Sequence, residues 1–354
     1  MKLPGLSEVR FVDKLLFAKH LSVMLKSGIT IYDSVNILYE QSRNKAFKKI
    51  LLGILNDLKN GLKLSKSLEK YPDVFDKLFV SIIAIGEESG NLDANLEYLA
   101  SQLSKNYEFR KKVRAALIYP TIIVIAAIIV GGGISIFVLP KLTDLFESLD
   151  VALPLSTKIL LFFANTMKNY GIFIVAFLVG GFIIFWVAID IPKIKLRWQR
   201  FVLRIPFFGN FIMSVEITNF CRNLGVMLKS GIPISEAMVA TTAATSNLVF
   251  KGYISLISKA VDKGVSIEKE ITRRNFKHMP AVMTRMIGVG EKSGKLSESL
   301  LYLSNFFEEE VDDMAQNLPS VIEPVLLIII ALFVSFLALS IISPIYQFTG
   351  SIRQ

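Results

Sequence analysis

Few side chains in this sequence are placed to do chemistry. A metal centre needs several His, Cys or acidic ligands at short spacings, and the chain offers two distant histidines, His20 and His278, and one cysteine, Cys221. Phosphate cradling by Gly-x-x-x-x-Gly-Lys-Ser/Thr and acyl transfer at Gly-x-Ser-x-Gly need motifs that the sequence lacks. Gly131-Gly132-Gly133 lies in an apolar stretch with no following lysine, so close helix packing is its reading. No catalytic, cofactor-binding or metal-binding residue is expected, and no cofactor. Two acidic features remain. Glu87 and Glu291 each stand three residues before a turn glycine, where a carboxylate either fixes the turn by capping or meets a partner. Glu308, Glu309, Glu310, Asp312 and Asp313 crowd into one short run, which is either a solvated face or a contact for a basic partner surface.

The elements that carry these acids occur twice. Met24-Leu25-Lys26-Ser27-Gly28-Ile29 returns as Met227-Leu228-Lys229-Ser230-Gly231-Ile232, 203 positions later. Ile85-Gly86-Glu87-Glu88-Ser89-Gly90-Asn91-Leu92 returns as Val289-Gly290-Glu291-Lys292-Ser293-Gly294-Lys295-Leu296. Pro120 and Pro140 return as Pro324 and Pro344, so the register slips by one residue between Met24 and Pro140. Both copies read as short amphipathic helices. Leu92, Leu96, Leu99 and Leu103 fall at helical steps, as do Leu296, Leu300, Leu303 and Phe307. Gly28, Gly231, Gly90 and Gly294 each follow a helical turn, where a left-handed C-cap favours glycine. Thr30 is placed to cap the next helix, and Pro233 suits a first turn in the second copy. The spacing predicts an all-α protein with about six helices per copy.

Composition adds a membrane. Apolar residues make up 52% of 354 positions, and the mean hydropathy is +0.51. Three stretches lack Asp, Glu, Lys and Arg: 26 residues between Arg114 and Lys141, 21 between Lys168 and Asp190, and 29 between Glu323 and Arg353. At about 1.5 Å per helical residue, each can cross a core of roughly 30 Å. The division is a first cytoplasmic helical repeat at 11–117, a span at 118–139, an extracytoplasmic loop at 140–169 and a second span at 170–189. A basic linker at 190–212, a second repeat at 213–322 and a third span at 323–347 complete it. Tyr119, Pro120, Glu323 and Pro324 mark where each repeat enters the membrane, and these prolines with Pro319 are expected to kink the helices there. Lys105, Arg110, Lys111, Lys112 and Arg114 precede the first span, and Lys193, Lys195, Arg197, Arg200 and Arg204 follow the second. The positive-inside bias places the N-terminus and both repeats in the cytoplasm and the C-terminus outside. The net charge of +10 needs no nucleic acid, because basic flanks suit anionic lipid headgroups. Residues 1–16 contain no signal-peptide apolar run, and one cysteine excludes an internal disulfide. The spans hold no ionisable residue at mid-depth, which speaks against solute transport.

With these residues in hand, the chain resembles the PilC/GspF family. The resemblance rests on the Gly-Glu-x-Ser-Gly-x-Leu turn in both copies, on Arg110-Lys111-Lys112-Val113-Arg114-Ala115-Ala116-Leu117-Ile118-Tyr119-Pro120, on Phe307 to Asp312, and on Leu318 to Leu326. It covers residues 11 to 348. These are inner-membrane platform proteins of type IV pili, type II secretion and competence pseudopili. The resemblance implies a multi-pass, non-enzymatic protein that couples a hexameric assembly ATPase to lifting pilin or pseudopilin subunits from the membrane into a filament. Implied partners also include a retraction ATPase, other inner-membrane assembly proteins, membrane lipids and further copies of the chain, a dimer being favoured. The ten residues before Phe11 are fewer than the N-terminal extension of longer members, which points to a type IVb or competence subgroup. The competing class is the membrane subunit of an ATP-coupled transporter.

Overall fold

A computed structural model describes residues 9–134, 155–189 and 191–351, and no strand occurs among them. The first copy supplies α1 (Phe11–Lys26), α2 (Ile31–Gln41), α3 (Lys45–Lys59), α4 (Leu64–Leu68), α5 (Lys77–Ser89) and α6 (Leu92–Gly133). Then come α7 (Leu155–Ala188) and α8 (Pro192–Val202). The second copy supplies α9 (Phe208–Lys229), α10 (Ile234–Ala244), α11 (Leu248–Val261), α12 (Ile267–Arg274), α13 (Ala281–Ser293) and α14 (Leu296–Ser351). The copies match helix for helix. Ile31, Lys45 and Leu64 start their helices 203 positions before Ile234, Leu248 and Ile267, and Leu92 starts α6 204 before Leu296. Only the first pair departs from this, because α9 begins earlier and runs 22 residues against 16 for α1.

The helices form two compact units. One comprises the chain up to Lys112 with Gln199–Val311, the other Val113–Trp198 with everything from Asp312 onward. In the first unit the leucine stripes do what their spacing predicts: Leu96, Leu99, Leu300 and Leu303 are at most 1% exposed. Phe17, Phe47, Phe75 and Phe79 share the core of the first copy with Leu96 and Leu99 as an aromatic knot, with the Phe75 and Phe79 ring centroids 4.9 Å apart. Each such ring contributes about 1.5–3 kcal/mol by leaving water. The repeated turns share one device. The N–H of Asn91 reaches back to the carbonyl of Gly86 at 3.0 Å, and that of Lys295 to Gly290 at 2.9 Å. This is the Schellman closure, and it needs Gly90 and Gly294 at φ +71°. Thr30 caps α2 by accepting the Asp33 N–H, whereas Pro233 stands at the N-cap of α10, one residue ahead of the helix.

In the second unit α7 and α14 are joined where the buried Thr157 hydroxyl donates to the Ser340 carbonyl at 2.8 Å. Among the described residues two helices, α6 and α14, are long and apolar enough to cross a bilayer. Their helical runs continue through Pro120, Pro319, Pro324 and Pro344. The stretch expected as the loop 140–169 is divided: residues 140–154 lie outside the described residues, and 155–169 are helical, the first half of α7. Lys158 and Lys168 end the charge-free window, yet no glycine or proline interrupts Leu155–Tyr170, and charges alone do not stop a helix.

Candidate functional site

Three arrangements collect the residues singled out by the sequence. The first is the repeated glycine–glutamate turn. Glu87, on α5, accepts the N–H of Leu64 at 2.7 Å and of Ser65 at 3.2 Å, and also the Ser65 hydroxyl. Glu291, on α13, accepts the N–H of Ile267 at 2.6 Å and of Glu268 at 3.0 Å. Each carboxylate satisfies the first free N–H groups of a short helix from across the loop, and its charge opposes that helix's positive end. Ser89 and Ser293 turn their hydroxyls onto carbonyls of their own helices. Gly86 and Gly290 are where the next helix passes: a Cβ at Gly86 would lie 2.9 Å from Leu92 Cα, and one at Gly290 would lie 2.6 Å from Ser299 Oγ. Gly28 and Gly231 close α1 and α9 with positive φ.

The second is the membrane junction. Tyr119 and Glu323 are equivalent residues of the two copies, and the Tyr119 hydroxyl donates to the Glu323 carboxylate at 2.8 Å. Pro120 and Pro324 follow them in α6 and α14. The third is the acidic run, which does not form one face. Glu308 pairs with Arg222, whose side chain is 5% exposed and whose guanidinium lies 5.1 Å from the centre of the Phe109 ring. Glu310 accepts the Ser214 hydroxyl at 3.1 Å. Glu309, Glu310 and Asp313 are exposed, and Asp312 is partly buried with an interaction of its own. Glu308 is therefore a structural ion-pair partner, and the outward acids are fewer than the sequence implies.

A fourth arrangement was not anticipated. Within the first unit, a cleft of about 850 Å³ separates the two copies. Helix α9 lines it with Glu216, Asn219, Asn223 and Met227, at steps of three and four along one face. The first copy faces it with Lys14, Asp76 and Arg110. Lys14 pairs with Asp76 at 2.8 Å, while Arg110 lies over the Phe11 ring and donates to Asn106. Burial pushes the Glu216 carboxyl up to about 7, and it lowers the Arg110 guanidinium against the opposing field of Asp76. Cys221, on the same helix, is fully enclosed, and burial pushes its thiol up, so it is inert packing. A polar stripe on an otherwise apolar helix was the available signal for this cleft. No group of three metal-ligating side chains occurs among the described residues.

The sequence model of the family described as "Type II secretion system (T2SS), protein F" matches residues 17–140 and again 220–344. The chain belongs to this family. Its two matched segments are the two copies traced above. Among its relatives, the type IV pilus assembly protein PilC of Myxococcus xanthus is 29% identical, over 99% of this chain and 84% of that protein. The type II secretion system protein F of Vibrio cholerae is 29% identical, over 95% and 82%. The PilC of Pseudomonas aeruginosa is 27% identical, over 96% and 91%. The family's tandem domain explains why the glycine–glutamate turn appears twice. It is the device that holds α4 to α5 in one copy and α12 to α13 in the other.

Proposed function

We propose that this protein is the inner-membrane platform of a type IV pilus or type II secretion-like machine, with both helical repeats in the cytoplasm and α6, α7 and α14 crossing the membrane. In this reading an assembly ATPase acts on the repeats, and the motion reaches the bilayer as movement of α6 and α14, where a pilin or pseudopilin is held or released. The observation that supports it most directly is mechanical. Both α6 and α14 begin with leucine stripes in the core of the first unit and run without a helical break into apolar stretches. A continuous helix carries displacement along its length, and Pro120 and Pro324 set the points at which α6 and α14 bend as they enter the membrane. The Tyr119–Glu323 bond adds a lateral link between the two levers. No nucleophile–base pair or metal cluster is proposed, because the role asks for none.

A triglycine insertion after Lys112 tests this reading. It uncouples the lever in α6 while leaving each repeat and each span its own sequence. The expected result is normal membrane level, retained co-purification with the assembly ATPase, and loss of surface filaments or secretion. Wild-type filament number in that variant would sink the lever mechanism.

A further inference from the structure

Helix α8 is held to the first unit through its last turn and carries a line of exposed apolar residues. Gln199 accepts the Leu248 N–H through Oε1 at 2.7 Å, and Leu203, just past the helix end, is 6% exposed. None of the helix's own residues is buried. Ile194, Trp198 and Phe201 fall at steps of four and three, and Ile191 and Ile205 extend the stripe past both ends. All five are exposed, Trp198 by 41% and Phe201 by 55%. Lys193, Arg197, Arg200 and Arg204 border the stripe along one edge and Lys195 along the other, and no acid occurs between Ile191 and Val215.

That arrangement has a specific physical fit. A water-facing helix gains nothing by exposing Trp, Phe and Ile in one line, and a core helix would not flank them with five cations. A bilayer interface accommodates both: the rings settle at headgroup depth, and the basic chains extend along them to phosphate. A basic border on both edges suits a continuous anionic plane better than a groove on one protein. The helix is also within reach. Ala188 ends α7 four residues before Pro192, at most about 14 Å of extended chain.

We propose that α8 lies in the plane of the cytoplasmic leaflet as an anionic-lipid-binding helix, with Ile194, Trp198 and Phe201 at the acyl boundary and the basic edges on headgroup phosphates. This rests on the reading that α7 spans the membrane, and the test separates the two. The chain holds two tryptophans, Trp186 in α7 and Trp198 in α8. Full-length protein carrying Trp186→Phe is reconstituted in vesicles of phosphatidylethanolamine and phosphatidylglycerol containing brominated lipids. Trp198 fluorescence should be quenched more by bromine near the glycerol end than near the chain terminus, and shielded from acrylamide. Replacing Lys193, Arg197, Arg200 and Arg204 by Gln should at least halve the shallow quenching. Free access of acrylamide without lipid quenching overturns the proposal, and so does shielding without lipid quenching, which would mean a second copy covers the stripe. Unchanged quenching in the four-fold Gln variant overturns its electrostatic part. The Trp198→Phe protein reports on α7: deep quenching of Trp186 with none at Trp198 refutes the in-plane helix alone, and none at either site refutes the span as well.

Discussion

Asp13 and Glu216 hold the same register in the two copies, 203 positions apart, and they meet different surroundings. In the first copy α1 begins at Phe11, so Asp13 sits in its first turn. Its carboxylate accepts the Arg10 N–H at 3.0 Å and the Asn44 side-chain amide at 2.8 Å. In the second copy α9 starts at Phe208, so Glu216 is mid-helix, where the backbone N–H groups are already taken. Asn247, the counterpart of Asn44, caps α11 as Asn44 caps α3, by accepting two N–H groups on Oδ1. Glu216 has no ion pair or hydrogen bond among the described residues. The next pair repeats the lesson: Lys19 is exposed, while Arg222 is buried against Phe109 and Glu308. Extending one helix at its N-terminus, and burying it on more than one side, changed what the same positions do.

The strongest way to break this contrast is at Arg222. Arg222→Ala should cost about 3–4 kcal/mol, because Glu308 loses its partner and a guanidinium-sized gap opens under Phe109. Lys19→Ala should stay within about 0.5 kcal/mol. Denaturant unfolding of the detergent-solubilised protein compares them directly, and equal effects would mean that the copies are buried alike. A step smaller is the tight helix crossing. Gly86→Ala should destabilise by about 1–3 kcal/mol, since the new methyl meets the Leu92 backbone, which cannot swing away. A neutral result would show that α6 shifts freely over α5. Smaller again, the acids themselves should respond with opposite signs. Asp13→Ala should cost about 1–2 kcal/mol through the lost cap and the stranded Asn44 amide. Glu216→Gln should stabilise at pH 8 by roughly 1 kcal/mol, a figure reduced for the water that reaches the cleft. Its carboxyl pKa is higher folded than unfolded, so stability falls as pH rises from the ordinary carboxylate range through about 7. The gain from Gln should therefore vanish near pH 4, and a gain independent of pH would refute the buried-acid account. The least effect belongs to the outward acids: Glu309→Lys with Asp313→Lys should leave the unfolding midpoint unchanged, unlike Glu308→Lys.

What the sequence disclosed follows from how local each constraint is. Gly90 and Gly294 announced their turns because positive φ is a demand on one residue, and the leucine stripes announced their faces because 3.6-residue periodicity is regular. The capping use of Glu87 and Glu291 was one of two open readings, and their partners, Leu64 and Ile267, lie more than twenty residues away. The Arg222–Glu308 pair was invisible for the same reason: a run of five acids looks solvated until the one cation that faces it is located. The cleft needed knowledge of which side of α9 meets the first copy, and periodicity does not supply that. Charge does not mark the start of α7, because Leu155–Tyr170 holds no helix-breaking residue and Lys158 and Lys168 sit inside the helix.

The bond between Tyr119 and Glu323 carries a statement about ancestry. Two equal chains meeting on a two-fold axis must set a residue against its own copy, Tyr against Tyr or Glu against Glu. A duplicated chain escapes that rule, because each half mutates alone. Here the equivalent positions hold a donor and an acceptor, a complementary pair that no symmetric dimer of single repeats can form at its axis. Fusing the two copies made possible a left and a right half that a symmetric pair of single repeats cannot have.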